Sequence, residues 1–224
     1  MADKEVPLKT KVYNWAKSKV GERVGDGSCF ALVYEALRNS GAKTAYDYGK
    51  VTPKANYVWG KAINLIDVKP GDILQLRDHV IKIVKEMKVE ASFPDGTTME
   101  SDSTDTRVLK RGHHSAIVAE NHGKGVLTVL EQHIRTPGKS LESVQENLIY
   151  VADQTPKVEK AKDPYTLDLS LPVDVEKLKK LFKDPKFRSV INKYKKGKVK
   201  VKEGAKKTEI KVKGIIWAYT PEPK

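Results

Sequence analysis

"VGDGSCFALVYEALRNSG", residues 24–41, holds the only cysteine of the chain. Two glycines and an aspartate lead into it. Phe30, Val33, Tyr34 and Leu37 then recur at helical spacing, and Gly41 is placed to end a helix. The spacing predicts a helix from about Ser28 to Asn39, with Cys29 at its N-terminus or one residue inside. Unpaired backbone N–H groups at such an end favour a thiolate and lower a cysteine pKa. The same groups would stabilise an oxyanion on a substrate carbonyl. Gly25 and Gly27 would let backbone and substrate approach closely. A lone cysteine on a helix is more often a packed core residue, so the reading turns on its partners.

A thiolate nucleophile usually works with a histidine. Five are present: His79, His113, His114, His122 and His133. His79 follows a charged turn and His122 lies in the Gly-rich turn "NHGKG", so both are expected to face solvent. In "GHHSAIVAE" (112–120) the pair enters a strand on which His114, Ala116 and Val118 share a face. A histidine at the mouth of a buried strand can reach a helix packed across the sheet. "VLTVLEQH" (126–133) returns as the partner strand, and counting across the hairpin brings Glu131 near His114. A carboxylate there would hold the imidazole's tautomer and orientation. An ordinary pair of surface residues at a strand end is the competing reading.

The remaining pattern is helices first, then an antiparallel sheet, which is an α+β order. Residues 9–20 read as a helix with Val12, Trp15, Ala16 and Val20 on one side. "KPGDILQLRD" (69–78) is a turn followed by a strand, in which Asp72 is expected as a turn-former. Residues 79–91 and 106–111 read as strands around the loop "FPDGTTMESDSTDT". Residues 147–152 would add another strand. "DQTPKVEKAKDP" (153–164) is linker-like. Residues 174–197 read as one or two short basic helices interrupted at Pro185. Residues 198–213 alternate Lys with Val, as in an exposed strand pair, and "GIIWAYTPEPK" closes the chain with an apolar strand.

Taken together, "GDGSCFALV", "PGDILQL", "HHSAIVAE" and "LTVLEQH" resemble the CHAP family, the cysteine- and histidine-dependent amidohydrolases/peptidases of papain-like fold. The resemblance covers about residues 20–152 and 214–221. It implies an α+β, papain-like fold with N-terminal helices packed on an antiparallel sheet and a Lys-rich C-terminal insertion. It implies Cys29 as nucleophile, His114 as base and Glu131 as orienting group, with no metal or other cofactor. Ser28 stands where the family often has the glutamine of its oxyanion hole, and His133 where it usually has asparagine. Both are carried as supporting residues. His113, adjacent to His114, is the alternative base. Tyr57 and Trp59 of "NYVWG" are candidates to line a substrate cleft, with core packing as the alternative. The implied reaction is acyl transfer to water, and the implied substrate a peptide, above all peptidoglycan.

Length and charge frame the rest. The chain has 224 residues and a formal net charge of +13. Residues 156–213 carry 19 Lys/Arg against 8 Asp/Glu, and the remainder is close to neutral. The expected division is therefore a catalytic domain of 1–152 plus 214–224 and a basic insertion of 153–213. Such an insertion suits an anionic polymer such as a cell wall. A nucleic-acid grip is the rival, although Phe182, Phe187 and Tyr194 are the few aromatics among the lysines and arginine is nearly absent. A merely solvated lysine face is the third reading. No apolar run approaches the roughly 20 residues of a membrane span. "MADKEVPLKTKVYNW" shows no apolar core of a secretory signal. Two other function classes stay open: a catalytically silent papain-like module that binds an anionic partner, and a thiol acyltransferase or transglutaminase-like enzyme. One cysteine excludes an internal disulfide.

Overall fold

The structure is a computed structural model and describes residues 5–224, so the first four residues of the opening stretch lie outside it. Helix α1 spans Leu8–Ser18 and buries Val12 and Ala16. Helix α2 spans Cys29–Asn39 and buries Leu32, Val33, Ala36 and Leu37, the face its periodicity marks out. Ser28 is its N-cap: the hydroxyl oxygen accepts from the Ala31 N–H at 3.1 Å, satisfying a donor that the helix cannot. Eight strands follow: β1 (Lys61–Ile63), β2 (Ile73–Ser92), β3 (Thr98–Asn121), β4 (Val126–Glu131), β5 (Gln145–Tyr150), β6 (Gln154–Glu159), β7 (Tyr165–Asp168) and β8 (Lys198–Thr220). Helices α3 (Pro172–Leu181) and α4 (Pro185–Lys193) lie between β7 and β8. The fold is α+β.

The chain divides into two compact units. The first comprises Met1–Ile81, Leu109–Gln154 and Lys211–Lys224. There the strands run in the order β1-β8-β2-β3-β4-β5, and β1/β8, β3/β4 and β4/β5 pair antiparallel. The apolar faces of α1 and α2 close over Ile73, Ile117, Leu130 and Tyr219 from the sheet. Burying each such side chain stabilises the unit by about 1.5–3 kcal/mol. Asp72 is fully buried in the turn before β2, where its carboxylate accepts from the Lys69 N–H at 2.7 Å, so it is the turn-former its setting suggests.

The second unit comprises Lys82–Val108 and Thr155–Ile210. Its core joins Val89, Ala91, Phe93 and Met99 to Leu167, Leu178, Phe182, Ile191, Val199 and Val201. The sequence alone places only 153–213 outside the first unit. The hairpin Lys82–Val108 belongs there too, because its apolar residues have their partners in that core. "FPDGTTMESDSTDT" is mostly not a loop. Phe93 N–H donates to the Thr97 carbonyl at 2.8 Å across a short turn, and β3 resumes at Thr98. The linker-like stretch contains β6, which pairs with β8. Residues 198–213 are no strand pair but the first part of the single strand β8, which continues through "GIIWAYT". Pro185 does interrupt the helical stretch, as the first residue of α4 with Asp184 as N-cap.

Within the first unit, Asp153 accepts from the Val212 N–H at 2.7 Å, so the chain leaves that unit and returns to it at neighbouring points. A chain lacking both Lys82–Val108 and Thr155–Ile210, each replaced by a short turn, is expected to fold cooperatively. A chain lacking Thr155–Ile210 alone exposes Val89, Phe93 and Met99 and should aggregate. Sedimentation and thermal melts compare the two; equal solubility would show that the hairpin does not belong to the second core.

Candidate active site

The loop into α2 is held from below by one side chain. Gln132, directly after β4, is fully buried. Its Oε1 accepts from the Val24 N–H at 2.8 Å, and its Nε2 donates to the carbonyls of Val24 at 3.0 Å and Ser28 at 2.9 Å. Gly25 and Gly27 complete the turn at φ 56° and 86°, the left-handed region that favours glycine. A Cβ on Gly25 would lie 2.9 Å from that of Ala31, inside α2. Cys29 thus begins the helix from a fixed loop and is half-buried.

The Cys29 thiol and the His114 ring lie close enough that each shifts the other's titration. His114 is buried on β3, and its Nε2 lies 2.9 Å from Glu131 Oε2. That leaves Nδ1 as the nitrogen available to the thiol. Glu131 is fully buried and accepts three further hydrogen bonds. Arg111 Nε donates to Oε2 at 2.9 Å and its Nη2 to Oε1 at 2.6 Å, while Asn147 Nδ2 donates to Oε1 at 3.0 Å.

The electrostatics follow from these contacts. Burial raises the Cys29 pKa, but the hydrogen bond and charge of His114, with the N–H groups of Ser115 and Phe30, outweigh it, and the thiol titrates below its ordinary value. Burial opposes a charge on His114, yet the hydrogen bonds to Cys29 and Glu131 and their charges raise its pKa to about 9. Burial likewise opposes ionised Glu131, but Arg111 and His114 hold the carboxyl well below the usual carboxylate range. Between the Cys29 and His114 titrations the pair is therefore thiolate and imidazolium, and below the former the thiol is protonated.

The other candidates fall in different places. Ser28 caps α2 and accepts from Gln132 through its carbonyl. Tyr57 is half-buried, 4.9 Å between ring centroids from Phe30 and 4.7 Å from His113; burial first, then the Cys29 charge, raises its pKa. Trp59 does not line a cleft: it is fully buried and donates to Gln75 Oε1 at 3.0 Å. His133 does not support the imidazole either. It is exposed, at φ 65° in the turn after β4. His113 faces Tyr57, and burial, then Arg77, pushes its pKa down. His79, expected at the surface, is fully buried, with Nε2 2.9 Å from the Tyr150 carbonyl. His122 is exposed, beside Thr128 and Glu120.

Sequence reasoning missed Arg111, Asn147 and the clamp role of Gln132. Strand register carries a signal for one of them. Glu131 pairs with Gln145 and Val129 with Asn147, so Asn147 is the diagonal neighbour of Glu131 on the adjacent strand.

A helix-borne cysteine facing a sheet-borne histidine, itself backed by a carboxylate, on helices packed against an antiparallel sheet is the layout of a cysteine proteinase fold. Residues 8–153 match the model of the family described as the AIM3/BBC1 cysteine proteinase-fold domain, and the chain belongs to that family. The papain-like fold expected from sequence holds, while the matching family is AIM3/BBC1 and not CHAP. Comparison with curated proteins gives no match.

Replacing Gln132 by alanine strands the Val24 N–H, at a cost of about 1–3 kcal/mol when unpaired, while the Val24 and Ser28 carbonyls keep the Gly27 and Leu32 N–H groups as donors. Q132A is expected to lower stability by about 1–3 kcal/mol in urea unfolding and to slow alkylation of Cys29 under native conditions. A loss below about 0.5 kcal/mol would mean that water replaces the amide.

Proposed function

We propose that this domain is a thiol-dependent amide hydrolase in which Cys29 is the nucleophile, His114 the acid and base, and Glu131 the orienting group. The observation that carries the proposal is the buried His114–Glu131 hydrogen bond, backing a ring whose titration is coupled to a cysteine at the first residue of a helix. In the proposed cycle the Cys29 thiolate attacks an amide carbonyl carbon while the helix N-terminal N–H groups face the developing oxyanion. The tetrahedral intermediate collapses, the C–N bond breaks, and imidazolium His114 gives its proton to the leaving amine. A water then attacks the thioester carbon, neutral His114 takes its proton, and the acid leaves. The proton returns to the Cys29–His114 pair. Tyr57, which packs on Phe30 and His113 and feels the Cys29 charge, is the residue proposed to touch the acyl group.

The CHAP-like specificity for peptidoglycan gains no support from the AIM3/BBC1 match, so the substrate class is kept at peptide and related amide carbonyls. Attachment to an anionic polymer through Lys-rich residues 156–213 is a separate proposal. Its contrast with the rest of the molecule is smaller than the segment alone suggests. The hairpin Lys82–Val108 brings 6 Asp/Glu against 4 Lys/Arg into the same unit.

Iodoacetamide at pH 6 tests the nucleophile, because thiolates react and thiols do not. Cys29 is expected to react at least tenfold faster than a free cysteine at that pH. H114A should remove the advantage and H113A should leave most of it. Slow alkylation that simply climbs with pH like a free thiol would overturn the proposal. Product analysis of a peptide amide, with and without added amine, separates hydrolysis from acyl transfer.

A further inference from the structure

Arg111 has no part in the cycle above, yet it makes two of the four hydrogen bonds that Glu131 accepts. Arg111, His114 and Glu131 are all nine-tenths or more buried. The guanidinium forks onto both carboxylate oxygens, a geometry that fixes the carboxylate's plane as well as its charge. It leaves Oε2 shared between Arg111 Nε and the imidazole.

The consequence appears when Cys29 changes state. With Cys29 a thiolate, the imidazole faces the sulfur's negative charge on one side and the Glu131–Arg111 pair on the other. Once Cys29 is acylated, the sulfur's charge is gone and only that pair remains. Hydrolysis of the thioester needs His114 neutral, as a base for water. A buried carboxylate partnered by the imidazole alone would hold it as imidazolium far into the alkaline range. The other groups around the site bring no competing charge. His79 on β2 is kept neutral by burial, with its Nε2 on the Tyr150 carbonyl. Tyr57 is neutral because burial raises its pKa, His113 because burial lowers its own, and Asn147 on β5 does not ionise. Arg77 is charged, but its guanidinium is held on Asn56 and the Lys54 carbonyl and acts on Tyr57 and His113.

We propose that Arg111 is a positioning residue. Its bidentate hold on Glu131 keeps Oε2 on the His114 ring and shares the carboxylate's charge, so that His114 releases its proton near neutral pH once Cys29 is acylated. This deepens the hydrolase reading and rests on it for its meaning, but the test does not depend on turnover.

The His114 ring is titrated by NMR in Cys29→Ser, which removes the thiolate as acylation does. Adding R111M is expected to move the titration upward by about one pH unit or more, the size of effect expected when a close opposite charge is left uncompensated. R111K keeps the charge and should stay within about half a unit of the parent. If R111M fails to fold, R111Q, neutral but still able to donate, takes its place with the same expected direction. An unchanged or lowered titration in the neutral variant overturns the proposal. In the protein with Cys29 intact, the alkaline shift should recur in the pH dependence of deacylation, with R111K restoring it. A uniform fall in rate at every pH is the signature of a merely structural arginine and also overturns it. The titration uses a protein that turns nothing over. An inactive parent would therefore sink the hydrolase reading while the effect of Arg111 on the His114 ring could still be measured.

Discussion

A carboxylate without solvent is the constraint around which this site is arranged. Taking Glu131 out of water costs several kcal/mol unless partners replace the lost hydration. The fold supplies four hydrogen bonds from two neighbouring strands: Arg111 twice and His114 from β3, and Asn147 from β5, all meeting at the last residue of β4. Each donor is useful only if the strands keep register, since a one-residue slip turns every side chain to the opposite face. The antiparallel pairs β3/β4 and β4/β5 are therefore conditions of the chemistry as well as of the core. Remove one member and the remaining charges are left buried and unmatched, which is more costly than never having had them.

The residues legible in the sequence share a property: each is marked by a local signal. Cys29 lies at the start of an amphipathic helix, His114 at the mouth of an apolar strand, and Glu131 at the far end of a hairpin whose turn can be counted. Arg111 carries no such mark. It lies three residues from His114, and simple alternation assigns it to the opposite face, yet its long side chain meets the same carboxylate. Asn147 is separated from Glu131 by a whole loop, so only the β4/β5 register identifies it. Trp59 and His133 mislead for opposite reasons. An aromatic near a cysteine suggests a cleft, but the indole finds a buried acceptor in Gln75. A histidine one step past the strand face suggests the site, but the chain has already turned away at φ 65°.

The same distinction governs the fold. Both early helices and the apolar part of the sheet follow from periodicity. The second unit is harder to read because its strands are polar on one side and short of apolar residues on the other. Lys198, Lys200 and Lys202 are exposed while Val199 and Val201 are buried, so the alternation is plain, but nothing local says that the strand runs on to Thr220. In "TMESDSTDT" only Met99 is deeply buried, and a run of serine, threonine and aspartate reads as loop until a partner strand is known. The hairpin's membership of that unit is a long-range fact, set by residues far along the chain, from Leu167 to Val201.

Two consecutive residues carry the two halves of the site. Glu131 fixes the ring of His114, and Gln132, pointing the other way, fixes the loop that delivers Cys29. Base and nucleophile are thus referenced to one short stretch of backbone, like two instruments mounted on a single bracket. Vibration of the bracket shifts both together and leaves their separation unchanged. What the pair cannot tolerate is twist between neighbouring peptides, which would tilt one side chain against the other. The sulfur–imidazole distance is therefore sensitive to the two soft backbone torsions on either side of the rigid peptide bond that joins residues 131 and 132.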